Sequence, residues 1–328
     1  MPTEFRILAQ DEYSKWDSFV DSSPQGSLFA KSYYLDAIGR PYKIAVLSKG
    51  DFIEGGLVLA KNEIRVYSNP LFTKYLGILL KPMNGKYVNR ITKEKKIIEK
   101  IVHNIQWCRS FDYTFNPNFN NWLPFYWNGF SQQTRYTYRI CEIKNIEHIH
   151  NNMDTITRNE IRKAKKNNIR ITTHIPLDEF YRVNNLTFKR QGGTIPYSFG
   201  FLKRFHDHLK KHNAIQLFGA TDDSGHYHAV SGIVFDKKCC YFILNGINHN
   251  MPKVGANTLL IMNTIEFASN VSEVFDFEGS MIKPIESFYR GFGGILTPYF
   301  NIWRNNFSNN CKRFAIKIYK KIKYGRHP

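Results

Sequence analysis

Apolar residues recur along this chain in two rhythms, and the switches between them predict its elements. Tyr33–Ile38 has the spacing of a short helix. Tyr42–Ser48 reads as a strand, and Gly55-Gly56-Leu57-Val58-Leu59-Ala60 as a buried strand. Tyr75–Leu80 is a further apolar run, closed by Lys81-Pro82. Over Lys93–Phe111, residues Ile97, Ile98, Ile101, Ile105 and Trp107–Cys108 fall at helical spacing and leave a basic opposite face, which predicts an amphipathic helix. Asp112–Phe130, rich in Asn, Pro and aromatics, reads as a strand and an irregular connection. A strand begins at Tyr136 and gives way to polar residues, so a domain boundary is expected near 145.

A second series follows. Asp154–Asn168 predicts a helix, Ile169–His174 a strand, and Leu177–Gln191 and Phe199–His212 two helices. Ala214–Thr221, the turn Asp222-Asp223-Ser224-Gly225 and His228–Phe235 form a hairpin signature. Lys238–Leu244 is a strand, Gly255–Ser269 a strong helix, Val274–Phe277 a strand, Pro284–Gly291 a helix and Thr297–Trp303 a closing strand. The fold class is therefore α/β with mixed sheets. The expected domains are 1–145 and 146–303, with a basic helix over 304–328 whose Cys311, Phe314–Ala315, Ile318–Tyr319 and Ile322 form one apolar stripe.

Composition narrows the class. Forty-six Lys and Arg against 27 Asp and Glu give a net charge of +19, which points to phosphates, nucleic acid, anionic lipid or nucleotide-linked substrates as company. Aromatic residues make up 15% of the chain, too many for disorder. No apolar run approaches the roughly 20 residues of a membrane span, and the first residues lack the pattern of a signal peptide. Five cysteines, two of them adjacent (Cys239 and Cys240), read as reduced structural thiols of a cytoplasmic protein. No metal site is expected: His226 and His228 lack a third ligand, and His206 and His208 point apart on their helix.

Three segments are candidates for chemistry. On a helix, Arg158, Arg162 and Lys165–Lys166 make a cationic strip suited to a pyrophosphate or an RNA backbone, although a solvated surface helix has the same composition. Lys253-Val254-Gly255-Ala256-Asn257 lies between a strand and a helix, where free backbone N–H groups and the helix dipole favour an anion. The strand ending Asp276-Phe277-Glu278-Gly279-Ser280 delivers two acids to its end, and Tyr289-Arg290 closes the next helix before a glycine-rich turn. Glu278 reads equally as a structural cap or ion-pair partner and as a functional acid.

These runs resemble the GNAT-type acyltransferases, and more closely the FemAB-like group, which carries two GNAT-like domains in one chain. The resemblance rests on RNEIRKAKKNNIRI, GANTLLIMNTIEFA and, above all, FDFEGSMIKPIESFYRGFGGILTPYF. A looser N-terminal pattern, Trp16, Phe19, Ser23-Pro24, Gly26-Ser27-Leu28-Phe29 and Tyr34-Leu35, looks like the group's opening helix and loop. It implies direct acyl transfer to an amine or hydroxyl from a donor lying where the strand before the long helix splays from its neighbour. The donor phosphates would then rest on Lys253–Asn257, and backbone N–H groups around Leu244–Gly246 would hold the oxyanion. Glu278 or Asp276 would act as base and Tyr289 as acid to the leaving group. Arg158, Arg162, Arg290 and, in the first domain, Lys31 would bind substrate. The implied donor is acyl-CoA, acyl-carrier protein or aminoacyl-tRNA, with no tightly bound cofactor. The implied acceptor is an amine of a small molecule, a cell-envelope sugar or a lipid-linked precursor in polysaccharide or peptidoglycan synthesis. In this resemblance the phosphate-loop pattern is represented by Gly255-Ala256, and Tyr289 stands where the tRNA-dependent enzymes often have lysine.

The charge supports a second reading, a tRNA-binding module on the same scaffold without acyl transfer. A third places residues 305–328 on a membrane surface.

Overall fold

The computed structural model describes residues 3–63, 66–190 and 192–304. The tail helix expected after Arg304 lies outside the described residues. In chain order the elements begin with β1 (Thr3–Ile7), α1 (Tyr13–Ser22), α2 (Ser32–Ile38), β2 (Tyr42–Lys49), β3 (Phe52–Glu63), β4 (Val66–Ser68), β5 (Leu79–Leu80), α3 (Tyr87–Asn104), β6 (Ser110–Thr114) and α4 (Leu123–Trp127). They continue with β7 (Ser131–Ile140), α5 (Ile146–Asn152), α6 (Thr155–Lys166), β8 (Arg170–Thr172), α7 (Leu177–Arg190), α8 (Phe199–Lys211), β9 (Ile215–Thr221), β10 (Tyr227–Phe235), β11 (Cys239–Ile247), α9 (Ala256–Val271), β12 (Val274–Asp276), α10 (Lys283–Arg290) and β13 (Ile295–Arg304). Contacts group the described residues into two units. The first holds 3–35, 39–134 and 299–304, and the second holds 36–38 and 135–298.

The first unit is built on the antiparallel β2–β3 hairpin, flanked by β1 on β2 and by β5 on β3. β4 pairs with β6 in parallel, and β13 lies antiparallel on β6. Its core joins the fully buried Val46, Leu57 and Leu59 to Trp16, Phe29, Tyr34 and Tyr75. Burying Trp16 requires a partner for its indole N–H, and Ala30 O accepts it at 2.8 Å. The α3 helix starts before the expected Lys93 because its first turn carries Tyr87 and Val88 to solvent, off the apolar stripe. It ends at Asn104 because Ile105–Arg109 turns the chain into β6.

The second unit holds the site. Its sheet runs β7-β12-β11-β10-β9-β8, antiparallel at every step but one, the parallel pair β11–β12. The crossover between those two strands is α9. Leu260, Ile261, Ile265 and Ala268 are all fully buried, against the sheet and against Ile161 and Ala164 of α6. Its wide apolar face belongs in a core, which is why its sequence signal is so strong.

Candidate active site

One extra residue interrupts the register of β11 on β10. On β10, Gly232 pairs with Leu244 and the next residue, Ile233, pairs with Phe242, so Ile243 is an extra residue in β11. Such a bulge bends its strand and raises the local twist. On the other side, β12 stays with β11 only over Cys239↔Val274, Cys240↔Phe275 and Tyr241↔Asp276. From Phe242 to Ile247 the strand continues without β12, so the strands part just before the bulge, slightly earlier than the sequence suggests.

Beyond Asp276 the chain turns away from β11. Phe277 N–H donates to Tyr138 O at 3.1 Å, then Glu278 and Gly279 both take left-handed conformations, with φ of 57° and 64°. Gly279 is required, since a Cβ there would lie 2.2 Å from Tyr136 O. Glu278 is the residue under strain, because left-handed backbone is uncommon outside glycine. Asp276 is fully buried. Its Oδ1 accepts from Thr137 Oγ1 at 2.6 Å and from Glu278 N at 2.8 Å, while Oδ2 lies 3.6 Å from Arg139 Nε. That carboxylate is committed to the turn.

Tyr289 reaches the same place from α10. Its ring lies 5.0 Å from that of Phe277 and 6.2 Å, edge-on, from that of Phe242, the first β11 residue past the pairing. Burial, and then the nearby Glu278 charge, push the phenol well above the usual tyrosine range. The phenol therefore keeps its proton at neutral pH. The α10 helix is moored by Tyr138, whose hydroxyl donates to Glu286 Oε1. Arg290 Nε contacts the same oxygen at 3.2 Å from an exposed position.

At the end of β11 lies a cleft of about 380 Å³ whose lining includes Lys253–Thr258, Arg190, His249 and Glu160. Gly255 caps α9 in left-handed conformation (φ 78°) and brings no side chain of its own to the first-turn N–H groups. A Cβ at Gly255 would lie 2.1 Å from Glu160 O, so glycine here lets α6 close on the start of α9. Asn257 turns back and accepts from Asn245 Nδ2 at 2.8 Å, tying the loop to β11. Partial burial, then the charges of Arg190 and Lys253, hold the His249 imidazole below its ordinary range, so it is neutral at pH 7 and the cleft's cations are Lys253 and Arg190.

The structure thus brings Glu278, Tyr289 and Asp276 together at one end of the opening, and Lys253–Asn257 at the other. It leaves three expected residues apart from these groups. Arg162 bonds Asn159 Oδ1 at 2.8 Å and Arg158 leans on Thr155 Oγ1 at 3.5 Å, and neither lines the cleft. Lys31, in the first unit, is buried; its Nζ donates to Asp17 O at 2.7 Å and pairs with Asp21 Oδ2 at 2.5 Å, so its charge is spent inside its own unit.

Sequence reasoning placed the α7 helix but missed the part its side chains play at the site. Asn184 is 1% exposed, donates to Asn245 O at 2.9 Å and accepts from the Tyr197 hydroxyl; Thr187 Oγ1 accepts from Ile247 N at 2.8 Å. Both edge groups belong to the stretch of β11 that β12 leaves, and Gly246 lets α7 approach, since a Cβ there would meet Asn184 Cα at 2.6 Å. The signal was present as a polar pair, Asn184 and Thr187, on the stripe of Phe180 and Val183.

Residues 152–280 match the family model described as an acetyltransferase (GNAT) domain. Among solved structures, FemX is similar over 90% of this chain and 96% of its own, with a TM-score of 0.67 at 12% identity. A tandem GNAT protein of the clavulanic acid biosynthesis pathway covers 92% and 98%, with a TM-score of 0.54 at 10% identity. The C-terminal domain of a putative lysylphosphatidylglycerol synthetase from Agrobacterium fabrum covers 94% and 97%, with a TM-score of 0.58 at 9% identity. No curated protein matches by sequence. Residues 152–280 thus form a GNAT acetyltransferase-type domain, and the chain shares its fold with FemX and with a tandem GNAT protein. Among the described residues no helix is long and apolar enough to cross a membrane.

Proposed function

We propose that this protein transfers an acyl or aminoacyl group from an activated donor to an amine of a cell-envelope sugar or lipid-linked precursor, by direct attack in a ternary complex. The observation that carries the proposal is the opening where β12 leaves β11, beside a bulge in β11, with an acid and a partly buried phenol at its closed end and an anion cleft at the end of β11. The donor's phosphates rest on Lys253–Asn257 with Arg190, and its reactive carbonyl lies in the opening. The acceptor amine attacks the carbonyl carbon, and Glu278 takes the amine proton directly or through a water. Backbone N–H groups freed at the bulge hold the oxyanion, a contribution of about 3 kcal/mol per donor in such sites. As the bond to the leaving sulfur or oxygen breaks, Tyr289 supplies the proton. Glu278 then releases its proton to solvent and Tyr289 is reprotonated. Asp276 acts through Glu278 as a positioning residue, and Arg290 holds α10 through Glu286.

A cleft of this size with two cations suits the pyrophosphate of an acyl-CoA, which makes a CoA thioester the first donor to test. The net charge of +19 favours aminoacyl-tRNA as the second. A fold shared with the C-terminal domain of a putative lysylphosphatidylglycerol synthetase supports an aminoacyl donor and a lipid-linked acceptor as the alternative pair. Purified protein incubated with labelled acyl-CoA, acyl-carrier protein and aminoacyl-tRNA, each with amine acceptors, tests the proposal. Label should pass to acceptor from one donor class and fail to do so in Glu278→Gln. Binding of tRNA without transfer from any donor would replace catalysis with the RNA-binding reading.

A further inference from the structure

A second cleft, of about 410 Å³, lies wholly within the first unit. Three of its cations, Lys93, Lys96 and Lys100, follow one another at three- and four-residue steps on α3, so they form one row on that helix. The row is about 10 Å long at the helical rise. Lys81, after β5, supplies a fourth cation from another wall. Against these four stands one lining carboxylate, Glu54, which is already engaged by Lys81 Nζ at 2.5 Å. Lys100 is steadied by Thr3 Oγ1. The ammonium groups of Lys93 and Lys96 have no hydrogen-bond or ion-pair partner among the described residues. The lining also includes the buried Leu47 and Ile97.

Like charges in a row on one helix disfavour each other, and apolar walls concentrate their field inside the cleft. A multiply charged anion relieves that repulsion, and lysine binds phosphate as a point charge. The volume is that of a small-molecule site, too confined for the extended basic track that a nucleic acid strand needs. We propose that this cleft binds a phosphate-bearing group, the phosphomonoester or pyrophosphate of a small molecule or of a lipid headgroup, as an anion site separate from the donor cleft. It stands whether or not the transfer reaction does.

The test uses the full chain carrying Lys253→Gln, which quiets the donor cleft. Inorganic pyrophosphate is titrated by calorimetry, and phosphatidic acid in phosphatidylcholine vesicles is tested by co-sedimentation. Lys93→Gln with Lys96→Gln should weaken binding at least tenfold, while the corresponding double arginine variant retains it. Lys210→Gln with Lys211→Gln, an equal loss of charge on exposed α8 positions, should change it less than twofold. Saturable pyrophosphate binding assigns a soluble ligand. Vesicle binding alone, with the same sensitivity to Lys93 and Lys96, assigns a lipid headgroup. No saturable binding of either probe, an unchanged affinity in the Lys93/Lys96 glutamine variant, or an equal loss in the Lys210/Lys211 control overturns the proposal.

Discussion

The buried Asp276 carboxylate accepts the backbone N–H of Glu278 at 2.8 Å, so one acid fixes the conformation of the acid two residues further on. The two residues should therefore fail in different ways. Glu278→Gln leaves the turn in place and should lower kcat about 10²- to 10⁴-fold, the usual weight of a general base, with little change in the denaturation midpoint. Asp276→Ala takes the acceptor from Thr137 Oγ1 and Glu278 N and the anion from beside Arg139, and should cost about 3–5 kcal/mol of stability, together with kcat. Equal loss of stability in both variants would assign Glu278 to structure.

Tyr289 donates rather than accepts a proton in this scheme. Tyr289→Phe should lower kcat by about 10²-fold or more while leaving KM for the acceptor near its original value. The defect should shrink with donors whose leaving group needs no protonation, such as an activated aryl thioester. A defect independent of the leaving group would reduce the ring to packing against Phe277 and Phe242.

Gly255→Ala combines a left-handed φ with a Cβ 2.1 Å from Glu160 O. The start of α9 must move off α6, so donor affinity should fall at least tenfold and thermal stability should drop with it. Lys253→Gln removes charge alone and should raise the donor Kd without shifting the melting temperature.

Alkaline pH should loosen α10. Burial and then the hydrogen bond to Glu286 raise the Tyr138 phenol from 10 to about 12. A folded pKa above the unfolded one means that the stabilisation is complete below pH 10 and is lost as pH rises through about 12. Ultraviolet titration should show this late-ionising phenol, and Tyr138→Phe should flatten the alkaline limb of the stability curve.

Much of the second unit was legible in the sequence because its elements are periodic and short-linked. The α9 helix has a dense apolar run, and the β9–β10 hairpin announces itself by Asp222–Gly225. The Glu278-Gly279 turn could be located by composition. Other features were not legible because tertiary contacts create them. β1 and α5 carry weak periodic signals, and β5 is two residues long where a six-residue run was expected. The bulge at Ile243 has no residue signature, since any side chain can be the extra one. Lys31 looked available for substrate only because the sequence does not show Asp21 folding back on it. Asn184 was overlooked because a polar residue on an apolar stripe reads as noise until its partner, Asn245 O, is brought opposite.

A strand released from its neighbour keeps unsatisfied amide groups along one side, an invitation for another polypeptide to add on. Here Asn184 and Thr187 occupy two of those positions on β11. The same helix that flanks the opening thus keeps it from becoming a self-association surface. Replacing both side chains with alanine should be felt as poorer solubility even where turnover survives.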